Sequence, residues 1–189
     1  LRKYEDAYLL TPQKVRKLIE AADNPRDKAL VITLYEGALR PDELLKLQIR
    51  HVHFDQYGAI IFVNGKTGSR RIRLIEAAPY LQTWINCHPQ KEDQNAPLWL
   101  SLKRQPLSHS RLLILLEKLS RRAGITPKPY PYLFRHSRLT FLAKYLTEQE
   151  LKVFAGWTQA SRMASVYVHL SGRDIDEKLL QIHGLASPH

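Results

Sequence analysis

Cysteine is almost missing from this chain, with one residue, Cys87, in 189. An internal disulfide is thereby excluded, and without neighbouring Cys no thiolate zinc cluster can form, so Cys87 reads as a structural or incidental thiol. Long apolar runs are missing too. The longest, LLILL at Leu112–Leu116, is far short of the about 20 residues that cross a bilayer. No signal-peptide pattern opens the chain, and the expectation is a soluble, cytoplasmic protein with no membrane partner. No internal repeat or low-complexity tract is present. Acid is scarce beside base: 18 Asp and Glu face 29 Lys and Arg, a formal charge of +11. That surplus points to a polyanionic partner, nucleic acid or an acidic membrane surface, without choosing between them.

Hydrophobic residues make up 44% of the chain and charged residues 25%, close enough to globular averages to exclude wholesale disorder. The length suits one domain with a sizeable core, with or without a short appendage. Thr11-Pro12 ahead of Val15, Leu18, Ile19 and Ala22 predicts an N-capped amphipathic helix, and residues 1–10 before it read as a linker remnant. A second helix is expected over Arg26–Tyr35, closed by Gly37. Pro41 opens a short third helix and leaves Arg40 at its N-terminal edge. From His51 to Ile75 the period changes to two: VHF, AIIFV and RRIRLI predict three strands, the last two joined by a tight turn over Asn64–Gly68. Ala77–Asn86 and Ser108–Ala123 read as helices, Cys87–Ala96 as a polar loop, and the Pro-rich Thr126–Pro131 as a sharp break. Beyond it the chain reads as helical, ending in Asp174–Ile182. The predicted class is α+β, mostly helical, with one small three-stranded antiparallel sheet.

Three basic residues stand where chemistry is possible. In the helix expected over Leu133–Leu146, Leu139, Leu142, Ala143 and Leu146 mark one apolar face. Arg135 falls within about 30° of its centre, while Arg138 lies on the flank. An inward arginine needs an anion, either a core carboxylate in a salt bridge or a bound phosphate that the guanidinium fork fits bidentately. Arg40 is held extended by Pro41 beside the positive end of the next helix; there the anion is Glu43, as a capping contact, or again a phosphate. Lys66, at the hairpin tip among Thr67, Gly68, Ser69, Arg70 and Arg71, is a solvated turn residue or part of a basic finger that reaches along a nucleic-acid groove.

Order along the chain adds more than any single site. RPDELL at Arg40–Leu45, GKTG at Gly65–Gly68, YLFRH at Tyr132–His136, AGW at Ala155–Trp157 and YVH at Tyr167–His169 together resemble the catalytic domain of the tyrosine recombinases, the phage-integrase family. The resemblance covers nearly the whole chain and implies the fold of that catalytic domain over residues 11–170, a C-terminal helix and tail over 171–189, and an N-terminal core-binding domain absent here. It implies that Arg40 and Arg135 are the two catalytic arginines, Glu43 the acidic residue supporting them, with His136 beside them as a second supporting residue. Lys66 is then the general acid, Trp157 the His-or-Trp position, and Tyr167 the nucleophile. Most members carry His where this chain has Tyr132. A phenol with a pKa near about 10 cannot take a proton at neutral pH as an imidazole does, which leaves Tyr132 a hydrogen bond to phosphate. Some archaeal integrases are similar in carrying Tyr there, and YVHLSGRD at Tyr167–Asp174 looks archaeal as well; viral genome integration, plasmid maintenance and chromosome-dimer resolution all stay open as settings.

The implied reaction is a transesterification. The Tyr167 oxygen attacks a DNA phosphorus, leaving a 3′-phosphotyrosine and a free 5′-hydroxyl, and a second strand's 5′-hydroxyl reverses the step. Neither nucleotide nor metal is needed, so no cofactor and no metal ligand are expected. The implied partners are double-stranded DNA and, in a full-length protein, other copies in a tetramer on DNA, at the nucleoid. Basic residues including Arg70, Arg71, Arg104 and Arg111 are candidates for tracking the DNA backbone; on helices such charges are equally a solvated face. Three alternatives remain open: a DNA-binding relative with a decayed site, suggested by Tyr132, a docking domain for acidic proteins, and a type IB topoisomerase-like enzyme.

Overall fold

The computed structural model describes residues 8–172 and 175–185. Helix α1 (Pro12–Ala21) starts as the sequence predicts: the Thr11 hydroxyl accepts from Lys14 N, Pro12 fills the first turn, and Val15, Leu18 and Ile19 are buried. In α2 (Pro25–Glu36), capped by Asn24, every residue from Ala29 to Glu36 is buried. A helix buried all round is the centre of a core, and α2 packs against α1, α6 (Pro131–Leu142) and α4 (Ala77–Asn86). The link to α4 is polar as well. The buried Glu36 carboxylate accepts from the backbone N–H groups of Ile75, Glu76 and Ala77 at 2.6, 3.0 and 2.7 Å, capping α4 and complementing its dipole.

Gly37 ends α2, as expected, but without a left-handed turn. It keeps a helical φ of −77°, and the left-handed step falls on Ala38, at φ 46°. Space accounts for glycine at 37: a Cβ there would lie 3.0 Å from both the Thr33 carbonyl oxygen and Leu39 Cγ. Ala38 thereby turns its carbonyl out of the helix, where the site uses it.

The sheet is antiparallel in the order β1 (Val52–Asp55), β2 (Gly58–Gly65), β3 (Gly68–Leu74). Alternation buries Ala59, Ile61, Val63, Ile72 and Leu74 and leaves Phe62 and its partner Arg71 on the outer face. Gly65 pairs with Gly68, so the turn is the two residues Lys66 and Thr67 rather than the five expected.

After α5 (His109–Ala123), α6 runs from Pro131 only to Leu142, four residues short of the expected Leu146. The apolar spacing continues through the break because Ala143 and Leu146 pack into the same small cluster as Leu139. A reciprocal capping box, Thr147 with Glu150, then starts α7 (Glu148–Ala155). Helix α8 (Met163–Leu170) follows, then α9 (Ile175–Ile182), which buries none of its residues; Asp174, expected to open α9, lies outside the described residues. The core has two parts. The larger lies among α1, α2, α4, α5 and the sheet, and the smaller, with Ala38, Leu139, Ala143, Leu151, Ala155, Ala164 and Tyr167, lies where α6, α7 and α8 meet the end of α2.

The β1–β2 turn offers a test of this packing. Gly58 has φ 142°, and a Cβ there would lie 2.5 Å from the Leu74 carbonyl oxygen. Gly58→Ala is expected to destabilise the fold by about 2 kcal/mol or more, read as a lowered urea midpoint with unchanged m-value.

Candidate active site

The site is built around Glu43, a carboxylate 2% exposed in α3 (Pro41–Leu45). Pro41 holds Arg40 extended at φ −69° and ψ 148°, so its backbone N–H and its guanidinium both turn onto Glu43, at 2.9 and 2.8 Å. Arg70 of β3 arrives from the other side and binds the same carboxylate through both terminal nitrogens, at 2.5 and 2.9 Å. Burial pushes the Glu43 pKa up, but the bonds from Arg70 and Arg40 outweigh it, and the carboxyl is held below its ordinary range. One carboxylate thus locks two guanidinium groups.

The same arginines meet a second set of acceptors at the C-terminus of α7. Arg70 Nε donates to Phe154 O at 3.0 Å, Arg135 Nη2 to Ala155 O at 2.7 Å and Arg40 Nη2 to Gly156 O at 3.4 Å. The hydroxyl of Thr67, beside Lys66 at the hairpin tip, donates to Gly156 O at 2.6 Å. The last carbonyls of a helix have no partner within it and carry the negative end of its dipole. Gly156 makes the turn at φ 68°, where a Cβ would stand 2.7 Å from Arg70 Nη1, so the position needs glycine for its conformation and for space.

Arg135, 6% exposed on α6, is clamped between helix ends: Nη1 donates to Ala38 O at 2.7 Å, at the close of α2, as Nη2 does to Ala155. It faces inward as its spacing predicts, yet its partners are carbonyls rather than a carboxylate. Burial and then repulsion from Arg40 lower its pKa to about 10, opposed by Glu43, so it remains a cation at neutral pH. Three guanidinium groups therefore gather near a single carboxylate that binds only two of them. The unbalanced charge suits a doubly liganded anion such as a phosphodiester.

The aromatic side is continuous with this cluster. Arg135 Cζ lies 5.7 Å from the centre of the Trp157 ring, and Trp157 stacks on Tyr167 at 5.6 Å and 24°. Tyr167 is 7% exposed, and its Oη lies 2.6 Å from His136 Nδ1. Burial lowers the His136 pKa.

Of the residues singled out from sequence, Arg40, Glu43, Arg135, His136, Trp157 and Tyr167 come together. Lys66 is exposed at the tip of the hairpin that Thr67 ties down. Tyr132 is 56% exposed on the first turn of α6. Arg71, Arg104 and Arg111 are exposed, on the outer sheet face, in a loop and on the first turn of α5. Arg70 departs from the expectation of a DNA-tracking surface residue, because its side chain is 9% exposed and bound to Glu43. The sequence held the signal: in β3, Arg70 shares parity with the inward Ile72 and Leu74. The α7 carbonyls carried no signal, since main-chain acceptors have no letter.

Residues 9–173 match the family model described as the phage integrase family. The tyrosine recombinase XerA of Pyrococcus horikoshii is 30% identical over 142 residues, which cover 70% of this chain and 46% of that protein; the chain spans about half the length of such relatives. Among solved structures, XerA recombinase superimposes with a TM-score of 0.73 at 22% identity, over 96% of this chain and 64% of that one. XerH site-specific recombinase, bound to a palindromic difH substrate, superimposes with a TM-score of 0.68 at 19% identity, over 96% and 54%.

The Glu43 network makes a signed prediction. A carboxyl whose folded pKa lies below its ordinary 4.5 stabilises the fold above that value and loses the contribution as pH falls through the folded pKa. Glu43→Gln is expected to cost about 3 kcal/mol at neutral pH, as breaking a buried ion pair does, and to flatten the acid limb of stability against pH in denaturant titrations.

Proposed function

This chain belongs to the phage integrase family, and from that premise we propose that it is the catalytic part of a tyrosine-type site-specific DNA recombinase. The observation that carries the reading is the convergence of Arg40 and Arg135 on Ala155 and Gly156, with Tyr167 joined to Arg135 through Trp157. Tyr167 Oη attacks the scissile phosphorus and the 5′-oxygen departs, leaving a 3′-phosphotyrosine. Charge builds on the non-bridging oxygens, and guanidinium groups already held in place stabilise it without reorganising. The Trp157 indole, a donor only, adds a hydrogen bond. Lys66 protonates the leaving oxygen from a tip anchored by Thr67.

The finer parts of the proposal follow the same line. Double-stranded DNA is the partner, supported by the net charge of +11 and by the DNA-bound XerH likeness. Arg71, Arg104 and Arg111 contact its backbone from exposed positions. Self-association uses α9, where Ile175, Leu179 and Ile182 are 72%, 48% and 76% exposed. The catalytic unit spans residues 11–170 and the protein works in the cytoplasm. An archaeal source is supported by the Pyrococcus relative.

The test is covalent capture on a pool of nicked duplexes with randomised sequence around the nick. The wild-type chain is expected to form a protein–DNA adduct and Tyr167→Phe none, while Arg135→Ala lowers the rate by about 100-fold or more. Adducts that persist in Tyr167→Phe would refute the assignment.

A further inference from the structure

The reaction proposed above needs a group to take the phenol proton, and the position that would hold an imidazole holds Tyr132, 56% exposed. We infer that His136, one residue beyond the buried Arg135, is the catalytic base for Tyr167. The inference rests on the recombinase reading and adds a role for a residue that reading leaves unused.

Contact comes first: His136 Nδ1 lies 2.6 Å from Tyr167 Oη, the atom that reacts, and the rings meet at 5.3 Å and 56°. Elimination comes second. Arg40, Arg70 and Arg135 have no acceptor, and neither does the Trp157 indole. The Glu43 carboxylate accepts from the Arg40 backbone and from two guanidinium groups. Among these site residues, the His136 imidazole is the one whose ring nitrogen can accept a proton and lies against the phenol oxygen. Its half-buried setting favours the neutral ring, with the proton on Nε2 and the Nδ1 lone pair toward the hydroxyl.

The step balances. As the Oη–phosphorus bond forms, the Oη–H bond breaks and its proton moves to Nδ1, giving imidazolium. The phosphorus–O5′ bond breaks on the far side, and O5′ takes a proton from the Lys66 ammonium. In rejoining, the O5′–phosphorus bond forms as the 5′-hydroxyl gives its proton back to the Lys66 amine, the phosphorus–Oη bond breaks, and the imidazolium returns its proton to the leaving phenolate, so the base of the first half is the acid of the second. A phenol gives up its proton here only in step with attack, which suits a neutral base of modest strength.

His136→Asn and His136→Ala separate this role from packing. Asn keeps a hydrogen-bonding group beside the phenol but no basicity, so both variants are expected to slow single-turnover adduct formation by about 100-fold or more, with circular dichroism showing the fold retained. Added imidazoles are expected to rescue His136→Ala with a rate that rises with the pKa of the imidazole, a dependence a space-filling role would not produce. Nitrogen-15 NMR of the wild-type chain is expected to show His136 protonated on Nε2 alone, with the Nδ1 shift moving in Tyr167→Phe. The role is overturned if His136→Asn keeps within about threefold of the wild type, if either variant reacts faster, as release of a locked phenol would give, or if Nδ1 carries the proton. A wild-type chain that makes no Tyr167-dependent adduct overturns the recombinase reading and this role together; a reactive wild type with an unimpaired His136→Asn overturns this role alone.

Discussion

Everything in the site hangs from the last turn of α7. A helix end is the one place where consecutive carbonyls point outward without partners, and here Phe154, Ala155 and Gly156 receive Arg70, Arg135 and Arg40 in turn. The donors come from β3, α6 and the edge of α3, segments separated by up to 95 residues between Arg40 and Arg135. No pairwise bond between those segments would place all three guanidinium groups together, because the groups repel one another. The helix end supplies partial negative charge without supplying a counter-ion. That distinction decides the chemistry: carboxylates in the same places would neutralise the arginines and leave nothing for an anion to bind.

Glu43 shows the limit of that design. A single full negative charge is present in the site, and it is spent on Arg40 and Arg70, the two cations that come from a helix edge and a hairpin strand. Arg135, rooted in α6, needs no such partner and takes two carbonyls from two helix ends. Its pKa is lowered to about 10, first by burial and then by repulsion from Arg40. In the proposed reaction a phosphate beside Arg135 would offset both the lost hydration and the repulsion from Arg40. A functional site of this kind costs stability locally, and the surrounding apolar core, with Leu39, Leu44 and Phe134 fully buried, offsets it.

Much of this was legible in the residues, and what was not has physical reasons. Helix starts were readable because Thr11, Ser108 and Pro41 act through local bonds, and the three strands followed from their period. The inward face of Arg135 followed from its spacing with Leu139 and Leu142. The end of α6 was misjudged because Ala143 and Leu146 serve the same core after the helix stops; periodicity reports burial, not hydrogen bonding, and the Thr147–Glu150 box was the better signal. Glycine at 37 answers to close packing against Thr33 and Leu39, a tertiary fact, while the left-handed step falls on Ala38. Arg70 was placed on the surface by its charge although its strand parity pointed inward.

Tyr167 shows why one residue supports two readings. It is 7% exposed, sits in the smaller core cluster and stacks on Trp157, all marks of a packed aromatic. Yet packing is what a weak nucleophile requires, since a phenol reacts only when its oxygen is held at one angle beside a proton acceptor. The rings of Trp157 and His136 fix that angle from two sides, and Trp157 in turn lies against Arg135. The chain of contacts from the α7 carbonyls through Arg135 and Trp157 to the phenol is therefore one mechanical unit. Burial at Tyr167 and the reactivity proposed for it would follow from the same packing.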